Sequence, residues 1–151
     1  MAESDNLIST RDEVSLLLDE MRSFAANRDA GIHRKCIANL YYAAFHAVRA
    51  MLFYHGLDTR THEGTQRLFA AHFVKPGLMP KAHLRCLATL ESDRLRADYQ
   101  GFHSFDATDV ERALDCVPKL VTDALAYLRT QDVNLPTALD GALRKALEHL
   151  K

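Results

Sequence analysis

An eleven-residue stretch of the chain, DRLRADYQGFH at residues 93–103, holds two arginines, two acids, a tyrosine and a histidine. Arginine carries a permanent charge on a planar fork that suits a phosphate group, and histidine exchanges a proton near neutral pH. Arg94, Arg96 and His103 are therefore the residue types needed to hold an anionic substrate and to move a proton at it.

A predicted helix over residues 80–99 positions most of these groups, because Pro80 is favourable in a first helical turn. Alternating steps of three and four residues define one face of this helix, which passes from apolar to charged: Leu84, Leu87, Glu91, Arg94 and Asp98. Two interpretations remain open. Either the charged residues form a salt-bridge ladder at the helix end, or the two acids fix Arg94 for binding an anion, with Arg96 beside it.

His103 follows Arg96 by seven residues, which is nearly two helical turns, so an unbroken helix would place both on one face. Gly101 interrupts that helix. A lone histidine near a helix end is more often a cap or a surface residue than a base. The sequence alone leaves both roles open for His103.

The predicted second helix, residues 31–55, is apolar nearly all round, which is typical of a central, buried helix. One stripe of it nevertheless carries polar and aromatic groups: Tyr42, His46, Arg49 and Phe53. We regard His46 and Arg49 as secondary binding candidates, the alternative being polar side chains hydrogen-bonded inside a bundle. The small residues on this helix suit tight helix packing or a subunit contact: Ala43, Ala47 and Ala50.

The other predicted helices span residues 10–28, 63–73 and 108–130, and a short terminal helix follows Pro136. Thr10-x-x-Glu13 and Thr108-x-x-Glu111 read as capping boxes, and Pro118 predicts a kink in the fifth helix. Long helices with short connections predict an all-α, antiparallel up-and-down bundle of four main helices with short additional helices. The chain of 151 residues has the length of one domain, with a core at about residues 10–130 and a C-terminal helical extension at 135–151.

Composition excludes several classes of function. A net charge of -1 argues against binding nucleic acid by bulk electrostatics, although residues 75–96 hold five basic residues against two acids. The sequence has no run of 18 apolar residues and no signal-peptide pattern, so we expect a cytoplasmic protein without a membrane span.

No motif for a metal or a cofactor is present. HEGTQ at residues 62–66 lacks the second histidine of a zinc-protease helix, and the chain contains no glycine-rich phosphate loop. The three cysteines are an odd number without C-x-x-C spacing, so we expect small buried apolar residues and neither a disulfide nor a zinc site: Cys36, Cys86 and Cys116.

Four segments in order resemble a known family. They are YYAAFHAVRA at 41–50, Thr61-His62, HFVKPGLMP at 72–80 and RLRADY at 94–99. Together they are similar to the HEPN domains, in particular to a group of short uncharacterised proteins of bacteria and archaea. The resemblance covers about residues 31–128 and implies a small helical bundle that forms a homodimer.

The resemblance also implies a function. Many HEPN proteins are metal-independent endoribonucleases whose R-x(4 to 6)-H motifs from two subunits line a shared cleft. Many are encoded beside a minimal nucleotidyltransferase, as toxin and antitoxin, and in some pairs this partner attaches AMP to a tyrosine near the motif. Arg94, Arg96 and His103 are then the catalytic candidates, while Glu91, Asp98, Tyr99, His46 and Arg49 are binding candidates.

Tyr99 departs from the commonest form of this motif, because it stands where the usual histidine would follow Arg94. A tyrosine with an ordinary pKa of about 10 is a poor general base at neutral pH. Arg96 and His103, with six residues between them, satisfy the long form instead. Two functions follow: an endoribonuclease-like toxin acting through Arg96 and His103, or a non-catalytic module that binds a nucleotide or the partner enzyme.

Overall fold

The computed structural model describes residues 4–99 and 105–147, and these ranges contain helices and no strand. The α-helices are α1 (Asp5–Asp29), α2 (His33–Tyr54), α3 (His62–Phe69), α4 (Lys81–Tyr99), α5 (Ala107–Leu114), α6 (Val117–Thr130) and α7 (Ala138–Leu147). A π-helical turn, Ala70–Val74, continues α3. The prediction of an all-α bundle is confirmed. No helix within the described ranges is long and apolar enough to cross a membrane.

The central element is α2, which packs against α1, α4, α5 and α6. Its apolar residues form the middle of the core, where a buried leucine or phenylalanine side chain stabilises the fold by roughly 2 kcal/mol. Ala43, Ala47 and Ala50 are each at most 1% exposed. These small side chains therefore let neighbouring helices approach α2 within one protomer, and they are not available as a subunit contact.

The start of α1 differs from the predicted capping box. Ser4 caps the helix, since its hydroxyl accepts a hydrogen bond from the Leu7 amide at 3.2 Å. The helix continues unbroken past Thr10, whose buried hydroxyl donates to the carbonyl of Ala50 on α2 at 3.2 Å. The assignment of Thr10 and Glu13 to a helix start is wrong, because both side chains serve the α1–α2 contact.

The predicted long fifth helix is two helices, α5 and α6. Asp106 and Asp109 form the capping box that begins α5, in place of the predicted Thr108 and Glu111. Pro118 lies in the first turn of α6, where a missing amide hydrogen breaks no helical bond. The proline therefore marks a new helix start and not a kink within one helix.

Cys86 on α4 and Cys116 at the start of α6 form a disulfide, with their Cα atoms 5.9 Å apart. The expectation that the chain has no disulfide is wrong. Cys36 remains a free, buried cysteine, as expected. The bond ties α4 to the corner between α5 and α6.

The C-terminal helix α7 packs along α1. Arg28 of α1 donates hydrogen bonds to the carbonyl oxygens of Lys145, at 3.0 Å, and Ala146, at 2.6 Å. Leu139 is fully buried. The helix therefore covers α1 of its own chain, and basic Arg28 binds two carbonyl groups in the last turn of α7.

Loss of the disulfide should lower the stability of the bundle. The bond closes a loop with a sequence separation of 30 residues. Chain entropy alone assigns such a cross-link about 3.6 kcal/mol. We expect the urea midpoint of the wild-type protein to fall when dithiothreitol is added. The double variant Cys86→Ser/Cys116→Ser should start at the lower midpoint and not respond to the reductant. An unchanged wild-type midpoint in reductant would contradict this role.

Candidate functional site

Arg94 is buried between α4 and α2 and is only 6% exposed. Its Nη1 donates to the Asp98 carboxylate at 2.9 Å. Its guanidinium carbon lies 5.2 Å from the ring centre of Tyr41 and 5.5 Å from that of Tyr42. A desolvated cation over aromatic rings is worth up to about 2 kcal/mol. Arg94 therefore fastens the C-terminal half of α4 to α2.

Glu91 does not pair with Arg94. Its carboxylate accepts a hydrogen bond from the Gln66 side chain of α3. The predicted ladder is thus divided, with Arg94 joined to Asp98 and Glu91 joined to the neighbouring helix. These two contacts fix α4 against both α2 and α3.

Tyr41 and His62 extend the cluster around Arg94 toward α3. The Tyr41 hydroxyl and His62 Nδ1 are 2.5 Å apart. Burial raises the pKa of Tyr41; nearby Glu91 raises it further and Arg94 opposes this. Burial also lowers the pKa of His62. Both shifts favour the neutral forms at pH 7, so the phenol and Nδ1 form an uncharged hydrogen bond.

Arg96 faces away from this cluster. Two positions along a helix correspond to a rotation of about 200°, so Arg94 and Arg96 point to opposite sides of α4. Arg96 pairs with Asp93, and its side chain is 43% exposed. It borders a cavity of about 280 Å³ between α4, α5 and the start of α6, whose charged and sulphur-bearing lining residues are Cys86, Asp93, Arg96, Asp109, Arg112 and Cys116. The structure does not bring the two arginines of the RLRADY segment together.

Tyr99 ends α4 with 78% of its surface exposed, and Leu95, one turn earlier, is 40% exposed. Asp98 is half-exposed beside them. His103 lies outside the described residues. The exposed end of α4 therefore presents an aromatic ring, an aliphatic side chain and a carboxylate to the surroundings.

His46 and Arg49 lie on α2, on the same side of the bundle as Arg94. His46 Nδ1 is 2.6 Å from Glu13 of α1, and Arg49 Nη1 is 3.7 Å from the other oxygen of that carboxylate. The His46 ring stacks on Tyr42 at 6.2 Å, and Tyr42 also lies under Arg94. Sequence reasoning missed Glu13, because its spacing from Thr10 suggested a cap.

Residues suited to a metal ion do not converge in the part of the chain that the structure describes. No group of three or more histidine, cysteine, aspartate or glutamate side chains is placed to hold one there.

Comparison with known proteins gives several matches. A family model described as HEPN domain matches residues 18–127, from the middle of α1 into α6. UPF0332 protein PH1297 of Pyrococcus horikoshii is 32% identical over 81 residues, 54% of this chain and 57% of that protein. "Putative toxin MJ0605" of Methanocaldococcus jannaschii is 31% identical over 68 residues, 45% of this chain and 51% of the relative. A UPF0332 protein of Thermotoga maritima is 29% identical over 119 residues, 74% of this chain and 83% of the relative.

The chain spans about half the length of the first two of these relatives, with 57% and 51% covered. The family match is broader, because residues 18–127 include all of α2, α3, α4 and α5. The Arg94 cluster and the cavity beside Arg96 both lie within the matched region.

Removing Arg94 should destabilise the fold, whereas removing Arg96 should not. Arg94→Ala deletes two ring contacts of a buried guanidinium and its ion pair with the half-exposed Asp98, so we expect the free energy of unfolding to fall by about 2 kcal/mol. Arg96→Ala removes a partly exposed ion pair, worth less than about 0.5 kcal/mol. Urea denaturation of both variants measures the difference. Equal stabilities would show that Arg94 does not anchor α4.

Proposed function

Because the chain belongs to the HEPN domain family, we propose that it is an RNA-directed, toxin-like protein that cleaves RNA without a metal ion. The observation that carries this proposal is the cavity of about 280 Å³ beside Arg96, at the end of α4. The similarity to a relative named as a putative toxin also supports a toxin-like function. The catalytic candidates are Arg96 and His103, with Arg94 acting on the position of α4.

The proposed reaction is transesterification of an RNA phosphodiester. The 2'-oxygen attacks phosphorus, the bond to the 5'-oxygen breaks, and the products are a 2',3'-cyclic phosphate and a free 5'-hydroxyl. His103 removes the 2'-hydroxyl proton or protonates the leaving oxygen. Arg96 stabilises the negative charge that builds up on the phosphate oxygens, for which a forked guanidinium is suited.

Arg94 has a different role in this proposal from the one its sequence position suggested. Its Nη1 is committed to Asp98 and its guanidinium to the tyrosine rings of α2. A buried arginine with these contacts positions the helix end and does not hold a substrate phosphate. Glu91 acts in the same way through Gln66.

A homodimer is part of the proposal, since a two-fold axis would bring two copies of the α4 end together. Leu95 and Tyr99 support it, because they are large apolar side chains left exposed on one side of this helix. The small residues of α2 are buried within the protomer and cannot serve this contact. We therefore propose α4 as the subunit contact.

Tyr99 favours a second candidate function, a non-catalytic module that binds a nucleotide or a minimal nucleotidyltransferase. It occupies the usual place of the histidine and is 78% exposed. Asp98 stays half-exposed beside it even while bound to Arg94. An accessible phenol on a rigid helix is open to a partner enzyme, whereas a buried phenol such as Tyr41 is not.

The catalytic proposal predicts cleavage of single-stranded RNA in EDTA, with 2',3'-cyclic phosphate ends. Arg96→Ala and His103→Ala should each reduce the cleavage rate at least about 100-fold. Arg129→Ala is the matched control, because Arg129 is an exposed arginine paired with Asp140. Gel analysis of labelled RNA gives the rate, and sedimentation checks that the dimer persists. Full activity in both site variants would exclude these residues as catalysts.

The partner proposal predicts that a minimal nucleotidyltransferase encoded beside this chain, supplied with ATP, attaches AMP to Tyr99. Mass spectrometry should locate the adduct on the peptide that contains Tyr99. Tyr99→Phe should abolish the adduct while the two proteins still co-purify. Tyr127→Phe is the control for the loss of a different phenol. Modification of Tyr99→Phe to the wild-type extent would refute the assignment.

A further inference from the structure

The stripe of polar and aromatic residues on α2 contains a histidine held in a defined orientation. His46 Nδ1 lies 2.6 Å from the carboxylate of Glu13, and Glu13 is only 6% exposed. A carboxylate can only accept, so Nδ1 donates, as in other carboxylate-oriented histidines. Nε2 has no hydrogen-bond partner among the described residues. The His46 side chain is 13% exposed, so its edge reaches the surface.

Arg49 is fixed in place beside His46 without using its hydrogen-bond donors. Its guanidinium carbon lies 5.3 Å from the ring centre of Phe45 and 4.7 Å from that of Phe53. The nearest carboxylate oxygen, on Glu13, is 3.7 Å from Nη1, which is too far for a hydrogen bond. Its Nε is buried and has no partner in the part of the chain that is described.

A buried Nε without a hydrogen-bond partner among the described residues is shared by Arg28, Arg94 and Arg96. Arg49 differs from the other ion-paired arginines of the described ranges because no other nitrogen of its guanidinium donates a hydrogen bond either. Those arginines donate hydrogen bonds to a carboxylate or to a backbone carbonyl: Arg28, Arg94, Arg96, Arg112 and Arg129. The Arg49 side chain is 23% exposed, and none of its five donors forms a hydrogen bond with a described residue. A guanidinium that is ordered but unsatisfied is suited to an external oxyanion.

We infer that Glu13, His46 and Arg49 form a phosphate-binding site on the α1–α2 face, separate from the cavity beside Arg96. Arg49 binds two phosphate oxygens with its fork. His46 Nε2 accepts a hydrogen bond from a protonated third oxygen or, as an imidazolium, donates one to it. A tetrahedral phosphate offers three oxygens for these two groups, whereas a carboxylate has only two.

Tyr42 and Phe53 border the site at either end of the stripe. The ring of Tyr42 lies against His46, that of Phe53 lies against Arg49, and both side chains are partly exposed. His46 and Arg94 already lie over the ring of Tyr42, so Phe53 is the ring of the two that is left for a nucleobase, and such stacking is worth about 1–3 kcal/mol per base. The ligand is therefore a phosphate that is free, carried by a nucleotide, or part of an oligonucleotide backbone. Glu13 is a positioning residue, which acts through His46.

Binding of inorganic phosphate, UMP and hexauridylate to the full chain, measured by titration calorimetry, tests the site. Arg49→Met keeps the apolar contacts with Phe45 and Phe53 and removes the donors, so it should weaken binding about tenfold or more. Arg49→Lys should bind with intermediate strength, because it keeps the charge and loses the fork. The matched control is Arg129→Met, at an exposed ion pair. The probe that binds most tightly identifies the source of the phosphate.

The role of Glu13 has its own readout. In ¹⁵N-edited NMR of the wild-type protein, the His46 imidazole should carry its proton on Nδ1, and Glu13→Gln should shift the tautomer population while phosphate affinity falls.

Three outcomes would each overturn the site. These are no binding of any probe, equal binding by Arg49→Met and the wild-type chain, or loss of phosphate binding in Arg96→Met but not in Arg49→Met.

Discussion

Burial of α2 on nearly every side is the constraint that organises this bundle. A helix in that position has to find partners within the protein for most of its polar groups, because water reaches few of them. Neighbouring helices provide those partners, and the residues that do so follow the length of α2. Asn39 donates to Glu20, Tyr41 contacts His62, His46 contacts Glu13, and the carbonyl of Ala50 accepts from Thr10.

Contacts with α2 also hold α4 in position. Arg94 lies over two tyrosines of α2, one of which is itself held by His62. A second attachment, the Cys86–Cys116 disulfide, joins α4 to the start of α6. Arg96 lines the same cavity as the two cysteines. The width of this cavity thus depends on the disulfide that borders it and on the contacts of Arg94, which does not line it.

The sequence predicted the helices well because hydrophobic periodicity is a local signal. The stripe on α2 and the charged face of α4 were both visible from spacing alone, and the structure places Arg94 and His46 on the expected helices. The helix starts were less predictable. Thr10 and Glu13 have the spacing of a capping box, but tertiary contacts with Ala50 and His46 use both side chains. A spacing rule cannot register a competing partner more than 30 residues away.

The disulfide was missed for a similar reason, since Cys86 and Cys116 have a sequence separation of 30 residues and belong to no short motif. The sequence also did not reveal that Arg94 and Arg96 lie on opposite sides of α4, for a different reason. Both lie in the single segment RLRADY, which reads as one motif, and only their rotation about the α4 axis separates them.

Because of this rotation, the two faces of α4 have different roles. A buried face carrying Arg94 gives rigidity, because an arginine over two rings and bound to a carboxylate has few other arrangements open to it. The partly exposed face leaves Arg96 accessible from the solvent, and its exposed ion pair contributes little to stability. Access without rigidity would leave a guanidinium on a mobile helix end, where it could not stabilise charge at a fixed point. In the proposed reaction Arg96 therefore depends on Arg94 even though the two do not touch, and Arg94 depends in turn on the burial of α2.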